Sequence, residues 1–211
     1  MIKFKSIGLL TIVALLAASC QQKPPTSSPP QTTTPPPVSG PVSAGTFEDF
    51  LFAIAMRESN ANPNAANTLG YLGMYQMGEI AMVDVKWYKE SPPNETSKND
   101  WTGAWLTGAQ NNAVSSKATF LGNAPAQNVS IKIYYDNTWK YIKNLHLNDY
   151  EGQIIDGEVI TRSGLLAGWH LLGGVGLKKF LQSNGTDVPS DAYGTLISEY
   201  VTKFGGYDTP Y

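Results

Sequence analysis

The chain has 211 residues, with 15 Lys and Arg against 17 Asp and Glu, two histidines and one cysteine. A net charge of −2 gives no electrostatic footprint for nucleic acid. A single cysteine excludes a disulfide within the chain and a cysteine-based metal site, and two distant histidines make no metal constellation, so neither metal nor cofactor is expected.

The chain opens with Lys3 and Lys5, an apolar run from Ile7 to Leu16, and then small residues up to Cys20. A basic start, a short apolar core and small residues predict a secretory signal over residues 1–19. The run is shorter than the roughly 20 apolar residues that span a bilayer. Its end resembles a bacterial lipobox, which implies cleavage before Cys20 and lipidation of that cysteine. The usual leucine three places before the cysteine is replaced by Ala17, with Leu16 one place further out. Gln21, rather than aspartate, follows the cysteine; by resemblance to lipoproteins of Gram-negative bacteria this implies an outer-membrane anchor facing the periplasm. Residues 20–45 hold eight of the 14 prolines and few apolar side chains. Such a segment cannot bury enough surface to offset ordering entropy, so a disordered tether is predicted. At polyproline II spacing it reaches on the order of 75 Å.

Residues 46–211 have the size of one domain with its own core. Their richness in Asn, Gly, Tyr and Trp, with few Lys and Arg, suits a neutral, hydroxyl-bearing ligand such as a glycan. A mainly α fold with a small β-hairpin is predicted. Thr46 is an N-cap followed by acidic residues, and Phe47, Phe50, Leu51 and Ile54 form an amphipathic stripe that stops before Pro63. Further helices are predicted over 78–88, 124–144, 163–180 and 190–204. Residues 152–161 read as a hairpin turning at Asp156-Gly157.

Glu58 sits at the end of the first stripe, seven residues after Leu51 and four after Ile54. A carboxyl in that place loses solvation and meets the negative end of the helix dipole; both disfavour its charged form, as a general acid for glycosidic cleavage requires. From the helix alone, Glu58 could equally point into solvent or pair with Arg57 or Lys86.

The residues after it narrow the choice. Glu58-Ser59, Asn62-Pro63-x-Ala65, Gly70 and Gly73-Met74-Tyr75-Gln76 resemble the E-S, N-P-x-A, G, G-L-M-Q pattern of the soluble lytic transglycosylase, lysozyme-like family. The 18 positions from Glu58 to Gln76 match that pattern's spacing. Leu165 to Leu181 resembles the family's A-Y-N-A-G motif in altered form, with Trp169 and His170 where tyrosine and asparagine usually stand. Asp191 to Tyr207 is similar to the tail of phage-like and secreted transglycosylase domains. The resemblance covers residues 46–211 and implies a lysozyme-like fold and cleavage of the bond between N-acetylmuramic acid and N-acetylglucosamine in peptidoglycan strands. It implies that Glu58 is the catalytic acid, then base, and that a 1,6-anhydro sugar is formed. It further implies that Gln76 and the backbone at Gly73 and Met74 hold the sugar, that Ser59 fixes the glutamate or its sugar partner, and that Tyr75, Trp169 and His170 line the groove.

Other readings stay open at this stage: a lysozyme-type hydrolase, a non-catalytic wall-binding lipoprotein favoured by the altered third motif, and a wall-remodelling accessory of a secretion or phage-like machine. Glu79 and Asp84 are candidate second carboxylates for a hydrolase, but they lie five apart on different helix faces, and Glu79 serves as a helix-dipole partner. His146 reads as a surface histidine. Trp101, Trp105, Tyr134, Tyr135, Trp139 and Tyr141 read first as core packing.

Overall fold

The computed structural model describes residues 43–91 and 99–211. The signal segment, Cys20 and the tether as far as residue 42 lie outside the described residues. The domain is mainly α with a small two-stranded hairpin. Its elements in order are α1 (Phe47–Ser59), α2 (Glu79–Asp84), β1 (Tyr88–Lys89), β2 (Ala104–Trp105), α3 (Thr107–Gln110), α4 (Lys117–Phe120) and α5 (Ala124–Asn144). A 3₁₀ turn (Leu147–Tyr150) then leads to β3 (Ile154–Ile155), β4 (Glu158–Val159), α6 (Arg162–Gln182) and α7 (Ile197–Lys203).

Helix α1 begins where the sequence predicts. The Thr46 hydroxyl accepts from the Asp49 amide at 3.3 Å, and the Asp49 carboxylate accepts from the Thr46 amide at 2.8 Å, a reciprocal capping box. The two Thr46 bonds hold the Asp49 carboxyl below its usual range. Phe50, Leu51, Ile54 and Ala55 are buried, and Asn60 closes the helix in the left-handed region at φ 57°. Just before α1, the Ala44 amide donates to the Gly206 carbonyl and the Asp208 amide to the Gly45 carbonyl, each at 2.8 Å. The entry and exit of the domain are therefore sewn together as a short parallel pairing.

Helix α5 spans the predicted residues. Asn123 caps it by accepting from the Ala126 amide, and Gln127, Ser130, Ile131, Tyr135, Thr138, Trp139 and Ile142 form its buried stripe at the spacing of three and four that one helical face demands. The hairpin is also as predicted. Ile154 pairs with Val159 and Ile155 with Glu158, with Asp156 and Gly157 both at positive φ, the backbone of a type I′ turn.

Two helices are shorter than predicted. Lys86 adopts φ 64°, and the Lys86 and Trp87 amides bond back to Val83 and Met82. This left-handed cap ends α2 and frees Tyr88–Lys89 to pair with Ala104–Trp105. The helix expected over 190–204 starts only at Ile197, because one Asp191 carboxylate oxygen accepts from the Tyr193 and Thr195 amides at 2.9 and 2.7 Å. A short polar side chain that bonds the backbone ahead of it competes with the helix. Helix α6 is interrupted at Gly173, whose φ 62° and ψ −171° are not helical. Near its start α6 lies close on α7: a Cβ on Gly168 would meet Val201 Cγ2 at 2.9 Å.

The aromatic assignments divide. Tyr135, Trp139 and Trp105 are buried, and Trp101 stacks on Trp105 with centroids 5.5 Å apart. Tyr141 is partly exposed, and His146 lies on the surface beside Asp149.

Gln127 ties α5 to the chain that follows α1. It is 1% exposed; its oxygen accepts from the Met74 amide at 2.7 Å, and its nitrogen donates to the Pro63 and Phe120 carbonyls at 2.9 and 2.8 Å. Gln127→Ala would leave the Met74 amide without a partner away from water, at about 1–3 kcal/mol, while the Pro63 and Phe120 carbonyls keep the Gly122 and Asn123 amides. Urea unfolding is therefore expected to show a loss of about 2 kcal/mol, beyond that of an exposed glutamine.

Candidate active site

Glu58 lies in the last turn of α1 and lines a cleft of about 410 Å³ with Arg57, Asn67, Leu69, Tyr71, Gln76, His170, Leu171, Asp191, Ala192, Tyr193, Thr195 and Tyr200. Its side chain is 17% exposed, so one edge meets the cleft while the rest is packed.

Two elements bring groups against that carboxyl. The Tyr200 hydroxyl, from α7, donates to Glu58 Oε1 at 2.6 Å. Burial, reinforced by the Glu58 charge, pushes the Tyr200 phenol up, so it keeps its proton and acts as a donor. The Arg57 guanidinium lies over the Tyr200 ring at 5.7 Å rather than pairing with Glu58. His170, from α6, brings Nε2 to 3.7 Å from the same Oε1. Among the described residues no hydrogen bond is made to Oε2, which leaves that oxygen for a ligand.

His170 is itself buried. Its Nδ1 is 3.3 Å from the Tyr135 hydroxyl, its ring packs beside Tyr134 and Tyr135 at 5.9 Å, and it hydrogen-bonds the Tyr75 backbone carbonyl. Burial lowers its pKa from 6.5, opposed by the Glu58 charge and the Tyr75 bond. The imidazole is therefore neutral at neutral pH, and the Glu58 contact is not then an ion pair.

Of the expected site residues, Glu58, Gln76 and His170 come together in the cleft. Gln76, at φ 47°, has its side-chain amide anchored on the Gly73 carbonyl at 2.9 Å. The others serve the scaffold. The Ser59 hydroxyl does not reach the glutamate: it donates to the Met74 carbonyl at 2.9 Å and accepts from the Asn62 amide at 3.0 Å, stitching the end of α1 to the turn. The Gly73 and Met74 amides, expected to hold a sugar, are committed to the Ala65 carbonyl and to Gln127. Gly73 is required there, since at φ 74° a Cβ would meet Gln127 Oε1 at 2.5 Å. The Tyr75 side chain is buried rather than in the groove; its hydroxyl donates to Asn128 at 2.6 Å, and burial, with Glu48 adding, pushes the phenol up to about 12. Trp169 does not line this cleft either. It stacks on Tyr141 at 6.0 Å, because successive residues of α6 face different ways and His170 is the one turned to Glu58.

The candidate second carboxylates are occupied elsewhere. Glu79 is 1% exposed and accepts from the Trp101 amide; burial raises its pKa, with Asp100 and Glu90 adding to the effect. Asp84 accepts from the Tyr141 hydroxyl and from Asn137. Asp191 is the further carboxylate residue that lines the cleft. Sequence reasoning did not single out Tyr200, Asn67, Tyr71, Asp191 or Tyr193. Tyr200 meets Glu58 across 142 positions, a separation without a local signal. Among the described residues no three His, Cys, Asp or Glu side chains gather to hold a metal, and no helix is long and apolar enough to cross a membrane.

A histidine whose pKa is lowered by burial costs stability when it must be charged. The folded state binds fewer protons than the unfolded one below the ordinary value of 6.5, so stability falls as pH drops through that value and levels off below the lowered one. Urea midpoints are expected to decline from about pH 7 to about pH 5 and to decline less in His170→Gln; parallel curves for the two proteins would refute this.

No protein-family model matches the chain, and neither a curated protein nor a solved structure is detectably similar to it.

Proposed function

We propose that the domain is a peptidoglycan lytic transglycosylase with Glu58 as its acid and base. The observation that carries this reading is the partly buried Glu58 carboxyl at the end of α1, with one oxygen held by the Tyr200 hydroxyl, in a cleft lined by tyrosines, amides and hydroxyls together with Arg57 and Asp191. Such walls suit a neutral glycan, and the motif spacing from Glu58 to Gln76 adds independent support.

Glu58 protonates the oxygen that joins N-acetylmuramic acid to N-acetylglucosamine. As that bond breaks, positive character builds at the anomeric carbon, and the sugar's own acetamido group stabilises it, so no second carboxylate is needed. Glu58, now ionised, is held by the Tyr200 hydroxyl, a charge-assisted bond that strengthens as the charge forms. It then takes the proton of the C6 hydroxyl as that oxygen closes the 1,6-anhydro ring, so one group serves as acid and then base. Gln76 and Tyr71 lie on the cleft wall to orient the sugar.

One observation favours a second reading, a hydrolase: Asp191 lines the same cleft. Its one bonded oxygen is committed to the Tyr193 and Thr195 amides, so it is the weaker candidate for activating water. The proposed location is a lipid anchor at Cys20 in the outer membrane, with the domain facing the periplasm; intact-protein mass after expression in a Gram-negative host tests it.

Mass spectrometry of muropeptides released from purified sacculi separates the chemistries. A protein beginning at Ser43 is expected to release products about one water lighter than reducing-end muropeptides. Glu58→Gln is expected to lower release by at least about 100-fold, and Tyr200→Phe by about 10-fold, the worth of a hydrogen bond to a charged group. Reducing-end products lost in Asp191→Asn would establish the hydrolase. Binding to sacculi without release would leave a wall-binding protein.

A further inference from the structure

We propose that His170 is a positioning residue for Glu58 and must be uncharged for Glu58 to serve as acid and then as base. This deepens the reading above and rests on Glu58 being the acid. Three facts carry it. His170 and Tyr200 approach the same carboxyl oxygen, at 3.7 and 2.6 Å. The His170 side chain is 7% exposed, so bulk water does not screen the pair. The ring is fixed from other elements by the Tyr135 hydroxyl and the Tyr75 carbonyl, so it cannot swing away from the carboxyl.

The groups facing the ring define what its charge would do. From α1 comes Glu58, with Arg57 turned onto Tyr200; from α5, Tyr134 and Tyr135; from the turn, the Tyr75 carbonyl, while the Tyr75 phenol is engaged with Asn128; from α7, Tyr200 through Glu58. Asp191 stands on the cleft wall. Glu58 is thus the ionisable carboxyl nearest the ring.

Tyr135 is pushed well up by burial and keeps its proton, so its hydroxyl, 3.3 Å away, is able to donate to Nδ1. A neutral ring that accepts there carries its one proton on Nε2, the nitrogen nearer Glu58. That arrangement keeps the ring beside Oε1 uncharged, with the Tyr200 hydroxyl as the donor to that oxygen. Protonation of Nδ1 would displace the Tyr135 donor and put a full positive charge beside Oε1. That charge would repel the positive character that builds at the anomeric carbon and, once Glu58 has given up its proton, would hold the carboxylate so that it does not take the proton of the C6 hydroxyl.

A lone acid loses activity only as pH rises; a histidine that must stay neutral adds a loss as pH falls. In a rate profile on sacculi the protein is expected to lose activity about tenfold per pH unit on the acid side, below the ordinary histidine value of 6.5. His170→Asn is expected to lose that acid limb while keeping within about tenfold of the parent rate near pH 7. The same acid limb in both proteins would overturn the proposal, since a merely structural role lowers the rate equally at every pH.

A second measurement does not depend on turnover. In a His146→Gln background one histidine remains, and its imidazole resonances can be followed against pH by NMR. Glu58→Gln is expected to move the His170 midpoint downward, because the charge that favours the imidazolium is gone; an unmoved midpoint would overturn the coupling. A midpoint that moves in a protein that releases no muropeptides would sustain the Glu58–His170 coupling and defeat the transglycosylase reading alone.

Discussion

The side chain of Gln127 occupies a site from which water is excluded and satisfies backbone groups of three segments, at Pro63, Met74 and Phe120. Pro63 and Met74 lie in turns and Phe120 ends the short α4, and the Met74 amide would be stranded without a side chain of this length and shape. Its reach also requires Gly73, whose Cβ would collide with the amide. The consequences run outward from there. The turn held against α5 presents Gln76 to the cleft and aims the Tyr75 carbonyl at His170; Ser59 clamps the same turn to the end of α1 through Met74; and the end of α1 carries Glu58. A polar contact outside the cleft thus sets the geometry of the turn that lines it.

The second constraint is electrostatic. A carboxyl that has to exchange a proton is ill served by a fixed cation, which would hold it permanently ionised. The residues nearest Glu58 Oε1 are a tyrosine that keeps its proton and a histidine kept neutral by burial, and the neighbouring Arg57 is diverted onto the Tyr200 ring. The sparse charge of the chain has a local counterpart here: the carboxyl is surrounded by hydrogen-bonding groups of no net charge, which can stabilise either of its protonation states as the proton moves.

What the sequence made legible was whatever depends on near neighbours. The capping box at Thr46, the full length of α5 and the I′ turn at Asp156-Gly157 are set by residues within four positions of one another, and each is found where its pattern places it. The limits of α2 and α7 were not legible, because a left-handed Lys86 and the backbone bonds of Asp191 decide them against an otherwise helical pattern. Within the cleft, the place of Glu58 at the end of the buried face of α1 was legible from helix phase. The roles of Ser59, Tyr75 and Trp169 were not, since motif position says which loop a residue belongs to and not whether its side chain faces the cleft or the core.

Tyr200 shows why the remainder was hidden, and how the fold delivers it. Its bond to Glu58 closes a loop of 142 positions, and bringing such distant segments together costs chain entropy that one hydrogen bond cannot offset. Other contacts carry that cost. Gly164 and Gly168 let α7 lie close on α6, where any Cβ would strike Val201. The Ala44–Gly206 and Gly45–Asp208 bonds sew the two ends of the domain together beside the same helix. With α7 fixed on both sides, Tyr200 meets the carboxyl already oriented, and little freedom remains to be lost when its hydroxyl bonds Glu58. The reach from sequence to site is therefore longest for the donor bonded to Glu58, and it is bridged by packing and backbone pairing that lie outside the cleft.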